Sequence, residues 1–199
     1  MKTLLFTLEY PPFHGGVANY YGNIVKHWPS LPRPLDKGGE GGLYVLHNNN
    51  GSLVNDKLPV LKWLPSFWQI WRVVKKEKID HVLVGHILPL GTVSWLISKI
   101  IPVRYSVILH GMDLSFAVKT KRKRWLAKKI LVNARSIICS NSYTARLTKD
   151  FLGNESAGKI KMVNPGVDSH ITHNMEHITN LKRKYNLENK IVLLSVGRL

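Results

Sequence analysis

Hydrophobic positions along this chain switch between two periods. Thr3 to Leu8 is a short apolar run of strand length, followed by the prolines at 11 and 12. From there the apolar residues fall at Val17, Tyr20, Tyr21, Ile24, Val25 and Trp28, the spacing of a helix with one buried face. The alternation then repeats. Strands are predicted at Leu43–His47, Val60–Leu64, His81–Gly85, Tyr105–Leu109, Ser136–Ser140 and Ile160–Val163. Helices are predicted at Ser66–Lys78, Thr92–Ile100, Lys121–Val132 and Ser142–Leu152, the last with Asn141 as its N-cap. Strands that alternate with helices and lack hairpin turns pair in parallel, so the fold class is α/β, a doubly wound parallel sheet. Such sheets bind ligands beyond the carboxyl ends of their strands. Three loops are expected to meet there: His14 to Gly16, His86 to Gly91, and His110 to Asp113.

The pattern breaks in two places. Residues 29–42, PSLPRPLDKGGEGG, carry three prolines and four glycines without periodicity and read as a surface insertion. After the segment NPGVD at Asn164–Asp168 comes a helical stretch around Thr179–Tyr185, then KIVLLSVGRL, Lys190–Leu199, with the composition of a buried strand. This suggests a first domain over 1–167, with 168–199 a linker and the first strand of a second domain. The longest apolar region, Val82 to Ile101, is interrupted by His86, Pro89, Gly91 and Lys99, so it reads as strand, turn and helix rather than a membrane span.

Composition narrows the partners. Of 199 residues 44% are hydrophobic, enough for one sizeable core, and the formal net charge of +17 favours phosphate-rich partners: nucleic acid, anionic lipid or nucleotide. The single cysteine, Cys139, lies in an apolar run, which excludes a disulfide framework and fits a reducing, cytoplasmic setting. Lys2–Leu8 leads into Glu9 with no small-residue cleavage pattern, so no targeting segment is expected. His173, Glu176 and His177 spell H-x-x-E-H, but no third ligand is indicated and chance is the simpler explanation in a chain with nine histidines.

The stretch PPFHGGV carries the most specific chemistry. Gly15 and Gly16 lie between a strand and a helix N-terminus, where free backbone N–H groups and the helix dipole attract anions. They can take positive φ and let a bulky ligand touch the main chain; a plain turn is the alternative. Neither G-x-G-x-x-G nor G-x-x-x-x-G-K-[ST] occurs, which argues against a nicotinamide or P-loop site. Two basic amphipathic stretches stand apart from this loop. SFWQIWRVVKKEK at Ser66–Lys78 and KTKRKRWLAKK at Lys119–Lys129 could lie on an anionic membrane, or could be ordinary helices with solvated basic faces. No helix-turn-helix, zinc-finger or RNA-binding signature accompanies the charge, so nucleic acid is the weaker partner.

PPFHGGVANY, HGMDL, SNSYT, NPGVD and SVGRL, in that order, resemble the family 4 glycosyltransferases of the GT-B fold. The resemblance spans nearly the whole chain apart from the insertion. It implies a Rossmann-like N-terminal half, followed by the start of a donor-binding half, in a retaining enzyme that transfers a hexose from a UDP-sugar or GDP-sugar to a glycan or lipid-linked acceptor, without a metal. By the same resemblance Gly15, Gly16 and Arg198 hold the donor diphosphate, Arg198 as a bidentate clamp. His110 contacts the donor sugar and the reacting centre, where an imidazole can donate a hydrogen bond to developing charge; a histidine satisfying a turn is the alternative. Asp113 steadies that loop, touches a sugar hydroxyl or caps a helix. His14 and His86 face the acceptor. Further family donor residues would lie after Leu199, which raises the expectation of a separately encoded or continuing second domain as partner.

Overall fold

The structure, a computed structural model, describes residues 1–28, 42–55, 62–166 and 175–193. It divides into two compact units, Met1–Gly166 and Val167–Leu199. The first unit is built on a parallel sheet of six strands: β1 (Thr3–Thr7), β2 (Leu43–His47), β3 (His81–Val84), β4 (Arg104–Leu109), β5 (Ile137–Cys139) and β6 (Ile160–Met162). The helices between them are α1 (Gly16–Lys26), α2 (Leu64–Glu77), α3 (Thr92–Ile100), α4 (Met112–Ala117), α5 (Lys121–Asn133) and α6 (Ser142–Leu152). In the second unit, α7 covers Met175–Lys184.

The strand order is β2-β1-β3-β4-β5-β6. The chain moves one way from β1 to β2, then reverses past β1 to β3 and continues in that direction. Because parallel crossovers keep a right hand, the reversal sends the later helices to the opposite face. The core divides accordingly. Leu5, Leu43, Leu83 and Ile108 pack with Tyr20, Tyr21 and Val25 of α1. Leu4, Phe6, Val82, Val84 and Val107, the alternate positions of the same strands, pack with α2, α3 and α5 through Ile70, Val74, Val93, Ile97 and Ile130. Central β1, covered on both faces, is buried along its whole length.

Two expectations need correcting. Val60–Leu64 is not a strand where it is described: Lys62 and Trp63 form a turn and Leu64 opens α2, with Pro65 in the first helical turn, where a missing N–H costs nothing. Val60 and Leu61 lie outside the described residues. The loop expected at His110–Asp113 gives way at Met112 to a helix, Met112–Ala117, too short to show a hydrophobic period. Of the terminal strand, residues 190–193 are irregular, with Ile191 and Leu193 exposed, and 194–199, Arg198 among them, lie outside the described residues. Nearly all of the 29–42 insertion lies outside them too.

Helix starts follow local chemistry. Asn141 Oδ1 accepts the Thr144 N–H at 2.8 Å to cap α6, and Thr120 Oγ1 accepts the Lys123 N–H at 3.3 Å to cap α5. Asn141→Ala should cost about 1 kcal/mol, read as a lower urea midpoint at unchanged slope. Among the described residues no helix is long and apolar enough to cross a membrane.

Candidate functional site

The reversal of direction places a crevice between the carboxyl ends of β1 and its neighbour β3, and β4 lies next to β3. The loops after these three strands carry the candidate residues.

The loop after β1 is tied down from several sides. Thr7 Oγ1 donates to the Glu9 carbonyl at 3.0 Å and accepts the Glu9 N–H at 3.3 Å. Asn49, just beyond β2, donates to the carbonyls of Tyr10 and Pro11 at 2.9 and 3.1 Å, while the Tyr10 ring stacks on His47 with centroids 5.2 Å apart. Pro11 also presses on α1. A Cβ at Gly22 would lie 2.8 Å from Pro11 Cγ, so a glycine in mid-helix lets the loop approach.

This anchored loop delivers Gly15 and Gly16 to the start of α1. Neither uses positive φ: Gly15 is extended at φ 172°, and Gly16 is the first helical residue. A Cβ on Gly16 would meet nothing within 4 Å. The fold therefore leaves that backbone open rather than requiring glycine for itself. Among the described residues no side chain caps α1, so its first-turn N–H groups have no side-chain acceptor there. His14, on the same loop, is exposed.

The loop after β3 begins at Gly85, whose carbonyl accepts the Tyr21 hydroxyl proton at 2.8 Å. His86 follows in extended conformation, with Nε2 4.0 Å from Glu9 Oε1 and a buried Nδ1 that has no partner among the described residues. Burial pushes its pKa below the usual imidazole range, and the Glu9 carboxylate partly opposes this. The following turn, Ile87–Gly91, returns the chain to α3.

His110 opens the third loop, directly after β4. Its Nε2 lies 2.9 Å from the Tyr21 hydroxyl, and its ring is edge-on to Tyr20 and Tyr21 at centroid distances of 5.0 and 5.5 Å. Its backbone N–H donates to Asp113 Oδ2 at 3.1 Å. Asp113 therefore steadies the loop from the first turn of α4, while the cap position belongs to Gly111 at φ +86°, a left-handed conformation that favours glycine. Burial lowers the His110 pKa; Asp113 opposes the shift and His86 adds to it. Burial raises that of Asp113, against the N–H bond and ring of His110.

The structure thus gathers Gly15, Gly16, His86, His110 and Asp113 at one end of the sheet. Two participants carried no signal in the sequence. Tyr21 reads as an ordinary core position of an amphipathic helix, yet its hydroxyl meets partners 64 and 89 residues away. Glu9 reads as the end of a strand and faces His86. Of the H-x-x-E-H run, His173 and the side chains of Glu176 and His177 lie outside the described residues. Among the described residues no group of three metal-ligating side chains is assembled.

Comparison with known proteins agrees with this architecture. A family model described as Glycosyltransferase Family 4 matches residues 14–170. An uncharacterized glycosyltransferase of Methanocaldococcus jannaschii is 22% identical over 187 residues, covering 87% of this chain and 49% of that protein. The crystal structure of HepE from Anabaena in complex with UDP superposes with a TM-score of 0.65 at 18% identity, over 95% of this chain and 51% of that one. A glycosyltransferase from Rickettsia africae superposes at 0.60 and 16% identity, over 96% and 51%. The chain thus spans about half the length of these relatives, and the fold it shares with them is the Rossmann-like half of a GT-B protein. With the glycine loop, the strand-end histidine and its aspartate all inside the matched segment, the chain belongs to glycosyltransferase family 4.

Proposed function

We propose that this chain is the acceptor-side half of a retaining glycosyltransferase that moves a hexose from a nucleoside diphosphate sugar to a glycan or lipid-linked acceptor. The observation that carries this reading is the uncapped N-terminus of α1, with open space at Gly16, at the same sheet end as His110. The N–H groups of a helix N-terminus and the open space at Gly16 suit a diphosphate. A relative with the same fold has been crystallised with UDP, and again with UDP-glucose. In this reading Gly15 and Gly16 hold the diphosphate and His110 orients the sugar, with Asp113 steadying its loop. Arg198 clamps the departing phosphates, and His14 and His86 face the acceptor. The bond from the anomeric carbon to the diphosphate breaks, the acceptor oxygen bonds on the same face, and its proton leaves with the diphosphate. No metal is needed for this charge balance, since N–H groups and a guanidinium stabilise the leaving group.

The test is nucleotide release from UDP-sugars and GDP-sugars with an acceptor extract. It should be run with this chain and with one that includes a complete donor-binding half. Gly16→Val should fold normally, because nothing occupies the space, but bind the donor at least about tenfold more weakly. Equal donor affinity would remove the diphosphate from this loop.

The basic helices add a location to this reading: peripheral attachment to an anionic membrane. Exposed Trp68 and half-buried Trp71 edge each other at 5.4 Å, and Lys75 lies over Trp71 at 4.4 Å, beside a groove of about 600 Å³ that Arg72 and Lys76 also line. Trp125 and Phe116 are more than half exposed, with Lys129 and Lys119 over their rings. Aromatic rings beside exposed lysines suit an interface between headgroup and acyl chain. The protein should sediment with anionic vesicles and not with neutral ones, and Lys75→Glu with Lys76→Glu should weaken the binding about tenfold or more.

A further inference from the structure

One proton decides the chemistry of His110. The Tyr21 hydroxyl lies 2.8 Å from the Gly85 carbonyl and 2.9 Å from His110 Nε2. A carbonyl oxygen can only accept, so the single hydroxyl proton belongs to the bond with Gly85. The tyrosine oxygen is left with lone pairs, and the contact with His110 is a hydrogen bond only if Nε2 carries the proton. Tyr21 is fully buried, so water cannot take either role, and a buried pair without a proton between them would be costly.

We propose that Tyr21 is a positioning residue that holds neutral His110 as the Nε2–H tautomer, leaving Nδ1 as the ring's free acceptor for a hydroxyl of the transferred sugar. This rests on the glycosyltransferase reading for its substrate but not for its tautomer. It reverses the expectation that the imidazole donates to developing charge: its one N–H is already committed to Tyr21. Nδ1 has no partner among the described residues, and the ring is only half-buried. Asp113 makes its bond to the backbone N–H of His110, not to the ring, and so leaves Nδ1 free. The rings of Tyr20 and Tyr21, both edge-on, hold the imidazole plane. Burial of the ring favours its neutral form, as the proposal requires.

The groups that bear on this titration come from every surrounding element: Tyr20 and Tyr21 from α1, Glu9 from the loop after β1, His86 from the loop after β3, and Asp113 from α4. Burial opposes a charged ring, Asp113 favours it, and His86 opposes it. A hydrogen-bond acceptor at Nε2 stabilises imidazolium more than imidazole, so removing the Tyr21 hydroxyl should lower the His110 pKa further.

The experiment reads the tautomer directly, by nitrogen NMR of the histidine-labelled chain at ~pH 8, above the ordinary imidazole range. The His110 signals are identified by their loss in His110→Gln. In the wild type, Nε2 should show the protonated pattern and Nδ1 the unprotonated one. Tyr21→Phe, which keeps the buried ring, should give averaged signals from both tautomers, whereas Tyr20→Phe should leave the pattern unchanged. A wild-type Nδ1–H pattern, or an unaltered pattern in Tyr21→Phe, would overturn the proposal. Should Tyr21→Phe fail to fold, the wild-type spectrum decides alone. Within the complete enzyme, Tyr21→Phe should lower kcat about 10- to 100-fold with little change in KM, and move the acid limb of the pH profile down. Turnover with the wrong tautomer would refute the role of Tyr21 and leave the glycosyltransferase reading intact. The right tautomer without turnover from any nucleotide sugar would do the reverse.

Discussion

His110→Ala is expected to reduce nucleotide-sugar turnover in the complete enzyme by about 10²- to 10³-fold, the usual cost of removing one preorganised polar group from a reacting centre. The ring is half-buried, flanked by Tyr20 and Tyr21, and hydrogen-bonded through Nε2, so little of its position is left to chance. The loss should fall on kcat if His110 acts on the sugar as the bond breaks, and on KM if it only helps to bind the donor. The pH profile carries an independent sign. Burial lowers the His110 pKa, so the neutral form persists below the ordinary imidazole value of about 6.5, and wild-type activity should hold there and fall only as the pH drops through the depressed value. The same shift acts on stability. A histidine whose folded pKa is depressed binds fewer protons folded than unfolded, so its contribution is present above the unfolded pKa and lost as pH falls below it. His86 has the same sign. Turnover of His110→Ala within about threefold of wild type would take this residue out of the reaction.

Gly85→Ala should be the most destabilising single-methyl change at the site, by about 1–3 kcal/mol. The added Cβ would lie 2.7 Å from Thr7 Oγ1, 2.8 Å from the Tyr21 hydroxyl and 2.9 Å from Tyr21 Cζ. Thr7 ends the central strand and Tyr21 is packed in α1; both are fully buried, so neither can move aside cheaply. The reason for glycine here is space, in contrast to Gly111, where the backbone itself is left-handed. The urea midpoint of Gly85→Ala measures the cost. Introduced into Tyr21→Phe the same methyl group should cost less, because one clashing atom is gone, and that non-additivity separates local crowding from a general weakening of the strand. Equal costs in the two backgrounds would mean that the hydroxyl does not feel the methyl.

Much of the architecture was legible in one dimension. Apolar runs of strand length alternating with helical periods yield a parallel sheet, because a parallel connection has to cross over and a helix is the compact way to do so. The alternation was lost where elements are too short or lack a period. α4 has six residues and buries only Leu114 and Ala117, and around Leu64 an apolar composition suited to a strand also suited the first turn of α2. The candidate loops could likewise be read from chemistry that neither strand nor helix favours: paired glycines, and histidines at strand ends. That Gly16 is open, that Gly85 is crowded and that Asp113 bonds a backbone N–H could not.

The order of strands and helices, the three polar loops at strand ends and the likeness to one enzyme family are properties of the chain's own pattern, since periodicity and turn chemistry act over a few residues. The position of the crevice between β1 and β3, and the meeting of Tyr21, Gly85 and His110 over a single proton, belong to the tertiary structure. They depend on contacts across 64 and 89 residues, which are made only when both faces of the sheet are packed, and no local preference encodes them.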